Sequence, residues 1–417
     1  MKLKARHTSD EQIRKRGYIM QNSQGNNALL IIATILAFAV AMGIGRFAYT
    51  PILTTMLEAQ VLTEHVAAKL AAYNYLGYLL GAIICTFVHY TRTRIFLLKL
   101  SLFVSATSTL AMGFTEIPIL WVILRLLSGV ASAGIFLLAS GIALDQLFKQ
   151  NKPQLAGWLY SGIGVGIALS GAIVLSLQNS VTWQYHWISL GIISLVFILP
   201  CWFFMARPDQ VMTHHHEETE EKTPYFNLPL LLLITAYFLE GTGYIISGTF
   251  LVNILHQIPE LNAISYWSWV IVGVAAIPSS IFWAYLGQRL SYSRALILAY
   301  AIQAVGIALP ALSTHPIAGI IAAVTFGGTF IGIVMLTFKL AKQLATSHTT
   351  FIISFATAVY SVGQVIGPLL ADYLTRQTGD IILPLVAAGC IVAGGMLLLL
   401  VGKLCHLFNP PLVPQSA

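Results

Sequence analysis

Long apolar runs dominate the chain, and polar residues collect in short stretches between them. A helix crosses a bilayer core with about 20 apolar residues. Twelve runs meet that length, at residues 28–56, 66–88, 95–114, 118–144, 156–177, 187–205, 227–252, 266–287, 294–312, 317–340, 351–374 and 381–402. The pattern predicts an all-α integral membrane protein with twelve transmembrane helices. Most connections are short, and the longest internal one, 206–226, separates the first six spans from the second six. The chain divides accordingly into a polar N-terminal tail (1–27), a six-helix bundle (28–205), a linker (206–226), a second six-helix bundle (227–402) and a C-terminal tail (403–417). The first run is too long for a signal-peptide core and lacks a clear cleavage site, so it reads as a retained span.

Composition agrees. The chain is 57% hydrophobic and 9% charged, whereas soluble domains carry about 25% charged residues. The formal charge of +7 does not point to nucleic acid, because the basic residues follow the loops. Seventeen of the 22 lie in the two tails and the even-numbered connections, against Arg376 alone on the other side. Lys and Arg accumulate on the cytoplasmic side, so both termini are expected inside, in a bacterial inner membrane. The four cysteines, Cys85, Cys201, Cys390 and Cys405, are far apart and suggest neither a zinc site nor a disulfide frame. His214-His215-His216 and the glutamates after it read as a solvated linker rather than a metal tract.

The two halves resemble each other. Gly43 and Gly45 in span 1 match Gly241 and Gly243 in span 7, an offset of 198 residues. Gly162, Gly164, Gly166 and Gly171 in span 5 have counterparts in Gly363, Gly367 and Pro368 of span 11. Parallel six-span repeats are a transporter architecture, with solute bound near the midplane between them.

Three charges lie deep in apolar runs, where a charge costs roughly 2.5–3.5 kcal/mol and normally marks a function. At a rise of about 1.5 Å per residue, Arg46 lies about 6 Å and Arg125 about 9 Å outward of their span centres. Glu240 falls near the midplane. Helical spacing puts Arg46 on one face with Gly43, Tyr49 and Thr50. A guanidinium suits a carboxylate or phosphate, so Arg46 either binds an anionic group of a solute or pairs internally, with Glu240 or with helix carbonyls. Arg125 either couples proton movement or touches the solute, or else glues span 4 to span 1 through backbone carbonyls. Glu240 shares a stripe with Tyr237, Tyr244 and Ser247; it is a proton-coupling or solute-binding acid, or part of a structural ion pair. Asn74 with Tyr78, Tyr160, Gln303, and Tyr360 with Gln364 are further polar candidates inside spans. Asp372 and Arg376, four apart, read as an interfacial salt bridge. The candidate solute site is thus Arg46, Tyr49, Tyr244, Asn74, Tyr160, Tyr360 and Gln364, with Glu240 and Arg125 for proton coupling. No catalytic residue, metal or cofactor is expected: nucleotide-binding, zinc-protease and esterase motifs are absent from the sequence. Energy must come from an ion gradient or from the solute's own.

Twelve spans as six plus six resemble the major facilitator superfamily. Gly43-Ile44-Gly45-Arg46-Phe47-Ala48-Tyr49-Thr50-Pro51 is similar to the motif of its YbfB/YjiJ-type branch, and Gly363-Gln364-Val365-Ile366-Gly367-Pro368 fits that branch too. Arg125 to Gly129 resembles the superfamily's span-4 motif, whose arginine is linked to proton coupling. The span-5 glycines resemble its antiporter motif, but Ile167 stands where a proline is expected. The loop between spans 2 and 3 lacks the family's acid. The resemblance implies a monomeric, non-enzymatic secondary transporter in the lipid bilayer, moving a small organic solute by alternating access and coupled to protons. A carboxylate-bearing solute is the first expectation. A proton-antiport exporter of drugs or metabolites, siderophore-like compounds included, is the second. A non-transporting receptor is the remote third.

Overall fold

A computed structural model of the chain describes residues 28–88, 90–205, 227–345 and 348–408. Both tails up to residues 27 and from 409, and the 206–226 linker with its histidine tract, lie outside the described residues. Among the described residues twelve helices are long and apolar enough to cross a membrane: α1 (Ala28–Glu58), α2 (Glu64–Thr86), α3 (Arg92–Met112), α4 (Pro118–Lys149), α5 (Ala156–Leu177), α6 (Trp183–Phe204), α7 (Leu228–Gln257), α8 (Asn262–Leu290), α9 (Tyr292–Leu312), α10 (Pro316–Leu344), α11 (Phe351–Thr378) and α12 (Leu383–Leu404). There is no strand among the described residues.

The ends are set by local chemistry. Thr63 caps α2 by accepting from the Val66 N–H, and Asn227 caps α7 by accepting from Leu230 N–H at 2.9 Å. Prolines at the first turn start α4, α7, α10 and α12, where a missing N–H costs nothing. Gly379, at φ 68°, ends α11 in the left-handed conformation that favours glycine.

Packing repeats with a shift of six helices. In the first bundle α2 packs on α4, α3 on α4 and α6, and α1 on α5. In the second, α8 packs on α10, α9 on α10 and α12, and α7 on α11. Across the bundles α5 meets α8, α2 meets α11 and α1 meets α7. Related residues can touch only on the axis that relates the halves. Thr50 Oγ1 donates to Gly248 O at 2.5 Å, and Glu58 meets His256. Both pairs are 198 residues apart, so α1 and α7 lie along that axis.

Small residues allow the close approaches, as in membrane helix pairs generally. The α5 glycines serve two faces. Gly162 and Gly166 turn to α1, and Gly164 and Gly171 turn to α8 across the bundle boundary. A methyl on Gly166 would sit 2.8 Å from the Cα atoms of Ala39 and Gly43. Gly166→Ala should therefore lower detergent-measured thermal stability by about 1–3 kcal/mol. Gly328→Ala, with nothing within 4 Å of the added atom, should leave the melting temperature unchanged.

Candidate functional site

The site begins with an irregular stretch of α1. Residues Ala39–Ile44 form a π-helix. Gly45 N–H donates to Val40 O at 2.8 Å and Phe47 N–H to Met42 O at 3.0 Å, each five residues back. Such turns shift register and free carbonyls, often at functional sites. Side chains of α4 take up those carbonyls. Ser132 donates to Ala41 O at 2.7 Å, Ser128 to Gly45 O at 2.8 Å, Arg125 Nη1 to Gly45 O at 3.2 Å and Arg125 Nη2 to Arg46 O at 3.5 Å. The Arg125 guanidinium lies 4.4 Å from the Tyr49 ring centroid, and Tyr49 OH donates to Ala67 O at 3.0 Å. Asn74 Nδ2 donates to Arg125 O at 2.9 Å. Arg125, Tyr49 and Asn74 thus form a clamp inside the first bundle that holds the π-turn to α2 and α4.

The contacts correct part of one sequence expectation. Regular helical spacing puts Arg46, Tyr49 and Thr50 on a common face. The structure keeps Arg46 and Thr50 together, both toward the second bundle, and turns Tyr49 away beneath Arg125. Replacing Arg125 by Lys keeps the charge but loses the planar fork. A buried acceptor left unsatisfied costs about 1–3 kcal/mol, and a thermal melt of Arg125→Lys should show a loss of that size.

Arg46 leaves the clamp and crosses to the other bundle. Its Nη2 donates to Gln364 Oε1 at 2.6 Å, and Gln364 Nε2 donates to Tyr244 OH. The guanidinium carbon lies 4.3 Å from the Tyr78 ring, 4.8 Å from Tyr75 and 5.4 Å from Phe47. Tyr75 OH in turn meets Thr249 Oγ1 at 3.2 Å. Arg46 is 2% exposed and Nε has no hydrogen-bond partner. No carboxylate among the described residues pairs with it. Its charge is met by aromatic faces and one neutral amide.

The second bundle adds an aromatic column. Tyr244 stacks with Tyr360, Phe326 and Phe330 at 5.7, 6.1 and 6.2 Å between centroids, and Tyr360 stacks with Tyr237 at 4.1 Å. Behind Tyr360 sits Glu240, fully buried. Gln303 and Tyr360 lie beside it, yet neither carboxyl oxygen closes a hydrogen bond. The Arg46–Glu240 pairing allowed by sequence does not form; the two are joined instead through Gln364, Tyr244 and Tyr360. Tyr160 stands apart, stacked on Phe38 at 5.7 Å in the first bundle.

One end of the bundle boundary carries a polar seam, on the face opposite Arg92, Arg94, Lys149 and Lys339. Glu58 accepts from His256 Nε2 at 2.5 Å and Tyr266 OH at 3.1 Å. Asp372 meets His65 Nδ1 at 2.8 Å and Arg376 Nη2 at 3.1 Å, and Gln257 Nε2 donates to Glu64 Oε1 at 3.1 Å. The Asp372–Arg376 pair was legible in the sequence. Glu58, His65 and His256 were missed, although the 198-residue offset aligns Glu58 with His256.

Among the described residues no group of three or more His, Cys, Asp or Glu could hold a metal ion. A family model described as "Uncharacterised MFS-type transporter YbfB" matches residues 38–400. Among solved structures, the crystal structure of a point mutant of the nucleoside transporter NupG aligns with a TM-score of 0.69 at 11% identity, covering 91% of this chain and 98% of that one. At that identity the likeness speaks for the fold alone.

Proposed function

The chain belongs to the YbfB-type family of the major facilitator superfamily and is a multi-pass, non-enzymatic secondary transporter; from that premise we propose that it moves a small organic solute bearing a carboxylate. The observation that carries this reading is Arg46, a buried guanidinium at the boundary between two bundles with no acidic partner among the described residues. A charge inside a membrane is costly, and an anionic solute supplies the missing partner. Arginine's fork suits a carboxylate bidentately. Gln364 would exchange its bond to Arg46, and Tyr244 its bond to Gln364, for bonds to the solute, and the aromatic column would flank its apolar part. Arg125, Tyr49 and Asn74 hold the backbone that aims Arg46 and act as positioning residues.

Glu240, reached through Tyr360 and Tyr244, is the proton-coupling acid in this reading. The protein works as a monomer in a bacterial inner membrane, with its basic face cytoplasmic. The seam of Glu58, His256, His65 and Asp372 then closes the outer side, and its contacts break when the bundles rock open. The α5 glycines, which suggested export, are accounted for by packing against α1 and α8.

Flux in proteoliposomes tests the proposal. Small organic acids, matched amines and neutral amides are presented under an imposed pH gradient. Movement of an acid along or against that gradient is expected and reads the direction of transport. Movement of amines or neutral solutes alone would overturn it.

A further inference from the structure

Five polar atoms on three neighbouring side chains of the second bundle have no hydrogen-bond partner. They are both carboxyl oxygens of Glu240, Oε1 and Nε2 of Gln303, and the hydroxyl of Tyr300. All three residues are fully buried. Buried polar groups are satisfied in the large majority of cases, and an exception calls for water or an ion. Here five such atoms belong to three residues. Tyr300 and Gln303 are three apart on α9 and so share a face. Glu240 comes to that face from α7, within side-chain hydrogen-bonding reach of Gln303 and of Tyr360 on α11 but without closed bond geometry to either, and Tyr300 is near enough to feel its charge.

The donor chemistry narrows the ligand. Glu240, the Gln303 amide oxygen and the two phenol oxygens are hard oxygen donors, the set that suits alkali and alkaline-earth cations rather than soft metals. The described basic side chains do not pair with Glu240: Arg46 is bonded to Gln364, and Arg125 to backbone carbonyls. One carboxylate carries one charge. A monovalent ion leaves the cluster neutral, whereas a divalent ion would leave a net charge inside a membrane span.

We propose that Glu240, Gln303, Tyr300 and Tyr360 form a binding site for a sodium-sized monovalent cation within the second bundle. The site is separate from Arg46 and linked to it through Tyr360, Tyr244 and Gln364. Its part in transport rests on the reading of Glu240 as the coupling acid, with the cation and the proton as alternative occupants; cation binding itself does not depend on what the solute is.

The test is thermal unfolding of the purified full chain in detergent at fixed pH. Sodium, lithium or potassium chloride replaces choline chloride at constant ionic strength. A ligand stabilises the state it binds by mass action. The melting temperature should rise saturably with sodium. The response should vanish in Glu240→Gln and persist in Arg46→Gln. Tyr300→Phe removes one oxygen without changing shape, and its half-saturating concentration should rise about tenfold, one decade being the worth of about 1.4 kcal/mol. Should Glu240→Gln fail to fold, Tyr300→Phe and Gln303→Leu carry the comparison. Identical melting in all four salts would overturn the site and leave the cluster to water or a proton, with Arg46 and proton coupling untouched. A full sodium response in both Glu240→Gln and Tyr300→Phe would place the cation elsewhere and overturn it equally. Failure of the transport reading would show instead as absence of acid flux, whatever the salt.

Discussion

Arg46→Gln is expected to weaken binding of an organic acid by about 30- to 4000-fold, the equivalent of the roughly 2–5 kcal/mol lost when one member of a buried charged pair is removed. The same substitution should leave thermal stability unchanged or raise it. Free of solute, Arg46 is a buried charge without an acidic partner among the described residues, and such groups cost stability. Glutamine removes that cost and keeps a polar end near Gln364. The clamp that holds α1 does not involve the Arg46 side chain: it is built from Arg125, Ser128 and Ser132 on backbone carbonyls. Lost affinity with kept or improved stability is the pattern of a binding residue. A guanidinium that merely tied the bundles together through Gln364 would give lost stability instead. Thermal melts with and without the acid separate the two.

Glu240→Gln is expected to abolish coupling to the pH gradient. One pH unit is worth 1.36 kcal/mol per proton. A carrier that moves one proton with each solute can therefore build about a tenfold gradient per pH unit. The amide keeps the shape of the carboxyl but exchanges no proton, so that ratio should fall to one while solute counterflow continues. The chain of Tyr360, Tyr244 and Gln364 between Glu240 and Arg46 explains how occupancy of one site would reach the other, and it predicts that Tyr360→Phe weakens coupling more than binding. Accumulation ratios in proteoliposomes, measured beside counterflow, check both statements. Retained gradient-driven accumulation in Glu240→Gln would remove the carboxyl from the coupling step.

The spans were legible because bilayer thickness imposes a length that soluble helices do not share. The run at 28–56 corresponds to Ala28–Glu58, and that at 156–177 to Ala156–Leu177. Helices that project past the apolar zone were cut short, as at Leu228–Gln257, whose last turn carries His256 and Gln257. The repeat was legible in Gly43 and Gly45 against Gly241 and Gly243. Its offset reappears in space as Thr50 on Gly248 and Glu58 on His256.

What the sequence did not disclose was rotation about the helix axis. A π-turn adds one residue to a turn without leaving a composition signal beyond its glycines, and it rotates everything that follows, so the neighbours of Arg46 and Tyr49 could not be read from spacing. Rotation also decided Glu240. Its stripe with Tyr237 and Tyr244 was correct as spacing, but the carboxyl turns toward Gln303 on α9 and not toward Arg46. Contacts between bundles depend on two such rotations at once, which is why Gln364 was found as a candidate and its pairing with Arg46 was not.

The most direct test of an anion site at Arg46 uses one solute in two charge states. The acid that the flux screen selects and its uncharged primary amide are titrated against the wild type and Arg46→Gln by calorimetry in detergent. The wild type should bind the acid at least 30-fold tighter than the amide, by the same charge-pair estimate, and Arg46→Gln should bind both equally weakly. Equal binding of acid and amide by the wild type, or an undiminished preference for the acid in Arg46→Gln, would contradict the account.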